Sequence, residues 1–309
     1  MLLVAVGCAG WAFAAHGGRW SVRLDILTHF IPVIMAAAVV TVIYAFFTEP
    51  PFAKWALIGF GGTGVVLAGL LLVPEYLAPR ARAEAATPVP GQIKLIQFNA
   101  WRENKDHETT VRWLLAQNAD IIVMEEADVI GPLLMRRSNY HTNCNGCSVM
   151  IFSKTPPLDL DVPVPGDQRV RPPIARATYR DAHGEFTVVG THYVWPIYGG
   201  WQQEQGRVIA RLLQKLPKER LILTGDFNST PWSFSRRRED TIFGLERRTR
   251  GLFSWPARDF PPGIAKPPFP ILPIDHVYAG PGWRTVKVER GARLGSDHYP
   301  VVITLAPSA

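Results

Sequence analysis

Leu221-Ile222-Leu223-Thr224-Gly225-Asp226-Phe227-Asn228 is the stretch from which the rest of the chain can be read. A run of large aliphatics feeds straight into Gly-Asp-Phe-Asn, and Ser229-Thr230-Pro231 follows. A short apolar run bounded by turn residues predicts a buried strand, here one that ends on polar groups. Side chains alternate along a strand, which puts Asp226 and Asn228 on one side. A carboxylate beside a carboxamide suits a phosphate: one group orients a water or a metal, the other donates to an oxygen. A strand closed by an Asx-type turn uses the same residue types. The stretch therefore draws its meaning from others that match it.

Five further strand ends carry the same chemistry. Asn99 follows Ile96-Gln97-Phe98, and Glu125-Glu126 follow the apolar run Ile121 to Met124. His192 follows Val188-Val189-Gly190-Thr191, Asp275-His276 follow Pro273-Ile274, and Ser296-Asp297-His298 precede the apolar run Val301 to Leu305. One Asp or His at a strand end is ordinarily a turn residue. Six ends that bear Asn, Asp, Glu and His together describe a site. Between them, Thr109 to Asn118 and Gln202 to Leu216 have the apolar spacing of amphipathic helices. Ser148 to Phe152, Phe186 to Val189 and Ile274 to Tyr278 read as further strands. Many short strands with few helices predict two sheets packed face to face with helices outside, an α/β class.

The ordered set Gln-Phe-Asn, Met-Glu-Glu, Thr-His, Gly-Asp-Phe-Asn, Ile-Asp-His and Ser-Asp-His resembles the endonuclease/exonuclease/phosphatase superfamily. The resemblance runs from about Gln92 to Leu305, and Gly-Asp-Phe-Asn with Ser-Asp-His is its most specific part. It implies the four-layered α/β sandwich of deoxyribonuclease-I-like enzymes and hydrolysis of a phosphoester. Thr230-Pro231-Trp232-Ser233, Ser254-Trp255-Pro256 and the preceding hydrophobic segments resemble the membrane-anchored bacterial branch. By the same resemblance, Glu126 with Asn99 and Asp297 surrounds a Mg²⁺ (or Mn²⁺), and Glu125 stands where Gln is usual. Asp226 and Asn228 position the attacking water and contact the phosphate. His298 completes the acid–base network, Asp275 orients it, and His192 contacts the phosphate or acts as general acid. Hard oxygen ligands agree with Mg²⁺ rather than zinc. Trp101 stands where some members carry an acidic residue, and the Tyr-x-x-Asn contact of abasic-site nucleases is not visible around Ala175 to Tyr179.

Upstream of the site the composition changes. Residues 1–78 read as a transmembrane helical region, 79–91 as a linker rich in Ala, Pro and Arg, and 92–309 as the catalytic domain. Phe30 to Phe47 and Trp55 to Leu77 are each long enough to cross about 30 Å of hydrocarbon. Met1 to Ala15 is shorter, has no basic start, and makes a third span or a signal-peptide core. The expectation is thus two or three transmembrane helices in a bacterial inner membrane. Arg19, Arg23, Arg80 and Arg82 would by the positive-inside rule keep the catalytic domain cytoplasmic. The family resemblance places it in the periplasm, and Cys144-Asn-Gly-Cys147 agrees. A lone Cys-x-x-Cys is a poor zinc site and reads as a local disulfide of an oxidising compartment, or else as two free thiols.

The formal net charge of +7 fits an anionic substrate or a membrane surface and distinguishes neither. The expected partners are the lipid bilayer and a phosphodiester, either nucleic acid or a phospholipid headgroup. Arg236, Arg237, Arg238, Arg247, Arg248 and Arg250 would suit a polyanion, or form a solvated loop. The competing reading is a catalytically silent, membrane-anchored binding module on the same fold. Against it, every matched family position carries a chemically competent residue.

Overall fold

A computed structural model describes residues 1–78, 89–161, 169–258 and 269–308. Most of the expected linker, with Arg80 and Arg82, lies outside the described residues. The chain divides into two compact units. One holds Met1–Pro79 together with Trp195–Gln203 and Ser229–Glu239; the other holds the remainder.

In the first unit, α1 (Leu2–His16), α2 (Val22–Asp25), α3 (Ile31–Ala45) and α4 (Pro51–Leu77) follow one another. Val22–Ala45 and Pro51–Leu77, of 24 and 27 residues, are long and apolar enough to cross a membrane. Val33, Val40, Ile43, Val66, Leu70 and Val73 are exposed along them, unlike the side chains of a soluble core helix. The 15 residues of α1 rise only about 22 Å, short of the hydrocarbon thickness. Small residues let α3 and α4 approach: a Cβ at Gly61 would lie 2.5 Å from the Thr41 hydroxyl. The later segment Ser229–Glu239 is tied to these helices by hydrogen bonds. The Trp232 indole donates to the Thr28 carbonyl at 2.8 Å. The buried Asp25 carboxylate accepts the backbone N–H groups of Phe234 and Ser235, each at 2.8 Å. Those N–H groups open the helix Phe234–Phe243, whose first-turn donors have no partner within the helix itself.

Among the described residues the second unit carries twelve strands: β1 (Ile93–Asn99), β2 (Ile121–Glu125), β3 (His141–Thr142), β4 (Val149–Ser153), β5 (Asp159–Asp161), β6 (Ile174–Asp181), β7 (Gly184–His192), β8 (Leu221–Asp226), β9 (Glu246–Arg247), β10 (Asp275–Ala279), β11 (Trp283–Arg290) and β12 (Val301–Pro307). They form two six-stranded sheets, ordered β11-β12-β1-β2-β4-β3 and β5-β6-β7-β8-β10-β9. Leu95, Val123 and Ile303 of the first pack against Val188, Ile222 and Val277 of the second. The alternate residues Ile96, Phe98 and Ile122 face α5 (His107–Ala116) and α6 (Ile130–Arg137) through Val111, Leu114 and Ile130. The outer face of the second sheet is covered by Ile209 and Leu213 of α7 (Gly199–Leu213). The layers are helix, sheet, sheet, helix, the sandwich expected from the alternating apolar pattern. Cys144 and Cys147 are joined by a disulfide in the loop before β4.

Several described elements were not read from the sequence, β6, β11, α6 and two within Pro231 to Pro273 among them. β11 alternates charge with apolar residues because it is an edge strand, paired on one side only, with β12. α6 contains Gly131 and Pro132, which lower helix propensity. The Pro- and Arg-rich stretch Pro231 to Pro273 contains the helix Phe234–Phe243, now labelled α8, and β9.

The period of two also positions the polar groups. Leu95, Gln97 and Asn99 lie on one face of β1, as do Val123 and Glu125 of β2 and Ile222, Thr224 and Asp226 of β8. The face that is apolar in mid-sandwich therefore becomes polar at one end of the sheets. Register completes the alignment: Asn99 lies opposite Glu125, and His192 and Asp275 flank Asp226 from either side.

Gly225 has a steric reason within this arrangement. Its φ is +154°, and a Cβ there would lie 1.8 Å from the Thr191 carbonyl oxygen of β7. Gly225→Ala is expected to cost roughly 4 kcal/mol, from backbone strain plus displacement of the neighbouring strand. Denaturant unfolding measures the loss, and a change under about 1 kcal/mol contradicts this account.

Candidate active site

Asp226 lies at the centre of the polar end of the sandwich and is 1% exposed. Its Oδ1 accepts the Asn228 backbone N–H at 2.8 Å, which explains the left-handed φ of +47° at Asn228. Nitrogens converge on its Oδ2. The Asn99 carboxamide donates to it at 3.0 Å and the Asn228 carboxamide at 3.3 Å. His192 Nε2 lies 3.5 Å away and His298 Nε2 3.6 Å away. Both sheets contribute, β1 from one and β7 and β8 from the other.

Behind this carboxylate stands a relay. His298 Nδ1 is 2.8 Å from Asp275 Oδ2. Asp275 Oδ1 accepts a hydrogen bond from the Gln97 carboxamide at 2.8 Å, and the same nitrogen donates to Glu125 Oε2 at 2.8 Å. The turn carrying His298 is fastened to the end of β1: Ser296 Oγ donates to the Asn99 carbonyl at 2.7 Å and accepts the His298 N–H at 3.0 Å. The Ser of Ser-Asp-His is thus structural, and it fixes where the histidine stands.

Charge follows from burial and neighbours. Desolvation pushes Asp226 up to about 6, with Asp275 raising it further and His298 and His192 opposing. Asp275 is also desolvated, yet His298 holds it below the usual carboxylate range. Burial works against the His298 imidazolium, but Asp275 and Asp226 raise its pKa well above the usual value. His298 is therefore a cation at neutral pH, paired with Asp275. Glu125 is fully desolvated beside Asp275, and its pKa lies far above the ordinary range. It is a neutral acid, so Gln97 bridges one charged and one uncharged carboxyl group.

Glu126 points to the other side of Asn99. Burial would raise its pKa, but His192, the Arg102 N–H and Asn99 outweigh that and lower it. Its Oε1 accepts from the Asn99 carboxamide at 3.2 Å and its Oε2 from the Arg102 N–H at 3.0 Å. Asp297 is held separately, its Oδ2 accepting the Trp255 indole N–H at 3.2 Å. Its Oδ1 is buried with no hydrogen-bond partner. Carboxylate oxygens at Glu126 and Asp297, one of them unpartnered, are the donor chemistry a hard divalent cation takes. A second grouping, Asp226, Asp275 and His298, places ligand-capable atoms within 4.8 Å of one another. There His298 Nδ1 and Asp275 already bond each other, which favours proton transfer over ligation.

Of the eight residues singled out in sequence, seven (Asn99, Glu126, His192, Asp226, Asn228, Asp275 and His298) share this hydrogen-bonded and charged cluster. Asp297 joins through its charge on its neighbour His298. Gln97 was overlooked. Its signal was its position: it is a polar residue between the apolar Ile96 and Phe98, on the same face as Asn99. Trp101 has φ +55° and donates its N–H to Asn99 Oδ1 at 3.0 Å, fixing which way that carboxamide points. The arginine-rich stretch is largely engaged internally. Arg236 pairs with the neighbouring Glu239. Arg247 bonds Asp240 at 3.1 Å, and Arg248 pairs with Glu246 at 3.0 Å.

The model of the Endonuclease/Exonuclease/phosphatase family matches residues 96–298. Comparison with the curated proteins finds no match. Among solved structures, an endonuclease/exonuclease/phosphatase family protein from Bacteroides thetaiotaomicron is 17% identical, with a TM-score of 0.56 over 72% of this chain and 100% of that one. D. rerio TDP2 complexed with a single-strand DNA product is 13% identical, with a TM-score of 0.56 over 70% of this chain and 99% of its own. A mannosyl-6-phosphatase from B. thetaiotaomicron is 16% identical, with a TM-score of 0.54 over 69% and 99%. At these identities the solved structures speak for the fold, while the family model spans the site from Ile96 to His298. With its ordered strand-end motifs gathered in one site, the chain belongs to the endonuclease/exonuclease/phosphatase family.

Proposed function

We propose that this member of a family of phosphoester hydrolases is a membrane-anchored, Mg²⁺-dependent phosphodiesterase. The observation that carries the reading is the convergence of Asn99, Asn228, His192 and His298 nitrogens on one buried oxygen of Asp226. That oxygen is the proton acceptor for an attacking water. The water's proton passes to Asp226 as its oxygen bonds to phosphorus, and the leaving oxygen departs with a proton from His192. Asn228 donates to a phosphate oxygen. His298, kept cationic by Asp275, keeps Asp226 ionised at neutral pH. Glu126 and Asp297, with Asn99 orienting Glu126, would hold the cation, which neutralises charge developing on the phosphate. The names of two structural neighbours tie this fold to a DNA product and to a sugar phosphate.

The test is hydrolysis of bis-p-nitrophenyl phosphate by the full chain in detergent. Turnover that needs Mg²⁺ and is lost on chelation supports the enzyme. No turnover on this diester, on nucleic acid or on phospholipid favours the silent binding module. Glu126→Ala is expected to raise the Mg²⁺ concentration for half-maximal rate at least about tenfold, since a removed ligand costs metal affinity more than chemistry. An unchanged Mg²⁺ titration removes Glu126 from the metal site.

The two long apolar helices support anchoring in a bacterial inner membrane. The Cys144–Cys147 disulfide supports a periplasmic catalytic domain, because such bonds persist in oxidising compartments. Alkaline phosphatase fused to Ala309 tests this: an active fusion agrees, and an inactive one in a correctly inserted protein places the domain in the cytoplasm.

A further inference from the structure

Beyond His192 the chain enters Trp195–Gln203, which folds with the amino-terminal helices. This loop is unusually apolar for an exposed one. Trp195 is 64% exposed, Ile197 59%, Tyr198 47% and Trp201 37%. The rings of Tyr198 and Trp201 stack at 4.8 Å. The loop lies against the beginning of the first long apolar helix, where a Cβ on Gly199 would meet the Val22 carbonyl at 3.1 Å. Together they enclose a groove of about 540 Å³, with Val22, Arg23 and Ile26 on one wall and Ile197, Tyr198 and Trp201 on the other.

We propose that this groove binds a bilayer phospholipid through its glycerol backbone and upper acyl chains, and that phospholipid is the class of phosphodiester the chain hydrolyses. The inference rests on the phosphodiesterase reading above and supplies its substrate class. Three features favour a lipid. Trp and Tyr beside apolar side chains have the chemistry of the membrane–water interface, where an aromatic ring keeps one edge wet. The groove is continuous with a helix long enough to span the bilayer, since Val22 is the first residue of that helix. Arg23, and Arg19 four residues earlier, supply the positive charge that anionic headgroups attract. A nucleic acid would look instead to the arginine-rich stretch, where Arg236, Arg247 and Arg248 are each paired with a carboxylate.

The experiment places a benzophenone side chain at Ile197 of the full-length protein, in nanodiscs of phosphatidylethanolamine and phosphatidylglycerol with a single-stranded oligonucleotide in solution. After irradiation, a lipid adduct on the peptide containing position 197 is expected. An oligonucleotide adduct, a cross-link to a second copy of the chain, or no lipid adduct overturns the groove. A second arm compares hydrolysis of the nanodisc lipids with that of bis-p-nitrophenyl phosphate. Ile197→Asp is expected to lower the ratio of the two rates at least tenfold, and an unchanged ratio overturns the inference. Wild-type protein that cleaves bis-p-nitrophenyl phosphate but neither lipid overturns the lipid substrate and leaves the phosphodiesterase intact. Wild-type protein that cleaves nothing defeats the phosphodiesterase, and the adduct at position 197 then decides the groove by itself.

Discussion

Asp226→Asn is expected to lower turnover on a phosphodiester by about 10³- to 10⁴-fold, the upper range for loss of a positioned proton acceptor. The substitution preserves shape. The Asn carboxamide oxygen can still accept the Asn228 N–H that Asp226 Oδ1 accepts at 2.8 Å. What disappears is a group able to take a proton at Oδ2. Two effects on folding oppose each other: an amide nitrogen at the Oδ2 position faces the Asn99 and Asn228 donors, while a neutral side chain removes the desolvation cost that has raised this carboxyl to about 6. A raised carboxyl pKa means that the folded state binds the proton more tightly than the unfolded chain. Stability therefore falls as pH rises through about 6, and a neutral side chain avoids that loss. A folded protein at neutral pH, together with the lost turnover, is the expected pair. Turnover within tenfold of wild type would remove Asp226 from the chemistry. In the wild type, the rate should rise with pH through an acid limb near 6 as Asp226 ionises. Added Mg²⁺ should move that limb to lower pH, since a nearby dication favours the ionised carboxylate.

His298→Ala is expected to cost about 10³-fold by a different route. His298 Nε2 lies 3.6 Å from Asp226 and its Nδ1 2.8 Å from Asp275, so one imidazolium offsets two buried carboxylates. Without it, Asp226 faces Asp275 alone and its pKa rises further. The acid limb of the rate profile should then move to higher pH, beyond the wild-type value near 6. Metal affinity should change little, because Glu126 and Asp297 remain. Both readouts separate this role from simple loss of packing. An alanine variant with near-wild-type rate at neutral pH, or with an unmoved limb, shows that His298 does not hold Asp226 ionised.

The strand Leu221–Asp226 illustrates how much of the molecule was legible in advance. Its alternation of faces predicted Asp226 and Asn228 on one side, and their side chains do meet, although the strand ends at Asp226 and Asn228 turns back with a φ of +47°. The same logic carried Asn99, His192 and Asp275, each at the end of a strand whose inward residues are apolar. Edge strand β11 was not legible, because a strand with one partner and one wet face carries no continuous apolar pattern. The arginine-rich stretch was legible as charge, but its internal pairing was not, because Glu239, Asp240 and Glu246 are ordinary acidic residues until the chain folds.

The sequence by itself determined the two-sheet class, the long apolar helices and the types of residue at the site. Each depends on local periodicity or on motifs within a few residues, and periodicity survives in one dimension. The tertiary structure alone decided that four nitrogens, from the ends of β1 and β7, the turn after β8 and the turn before β12, meet one oxygen of Asp226, and that Gln97 joins Glu125 to Asp275. It also decided that Trp232 and the α8 amino terminus bond Thr28 and Asp25 within the amino-terminal unit. Apart from the near neighbours Asp226 and Asn228, those facts join residues separated by 28 to 209 positions. They depend on strand register and on desolvation, neither of which exists until the two sheets close on each other.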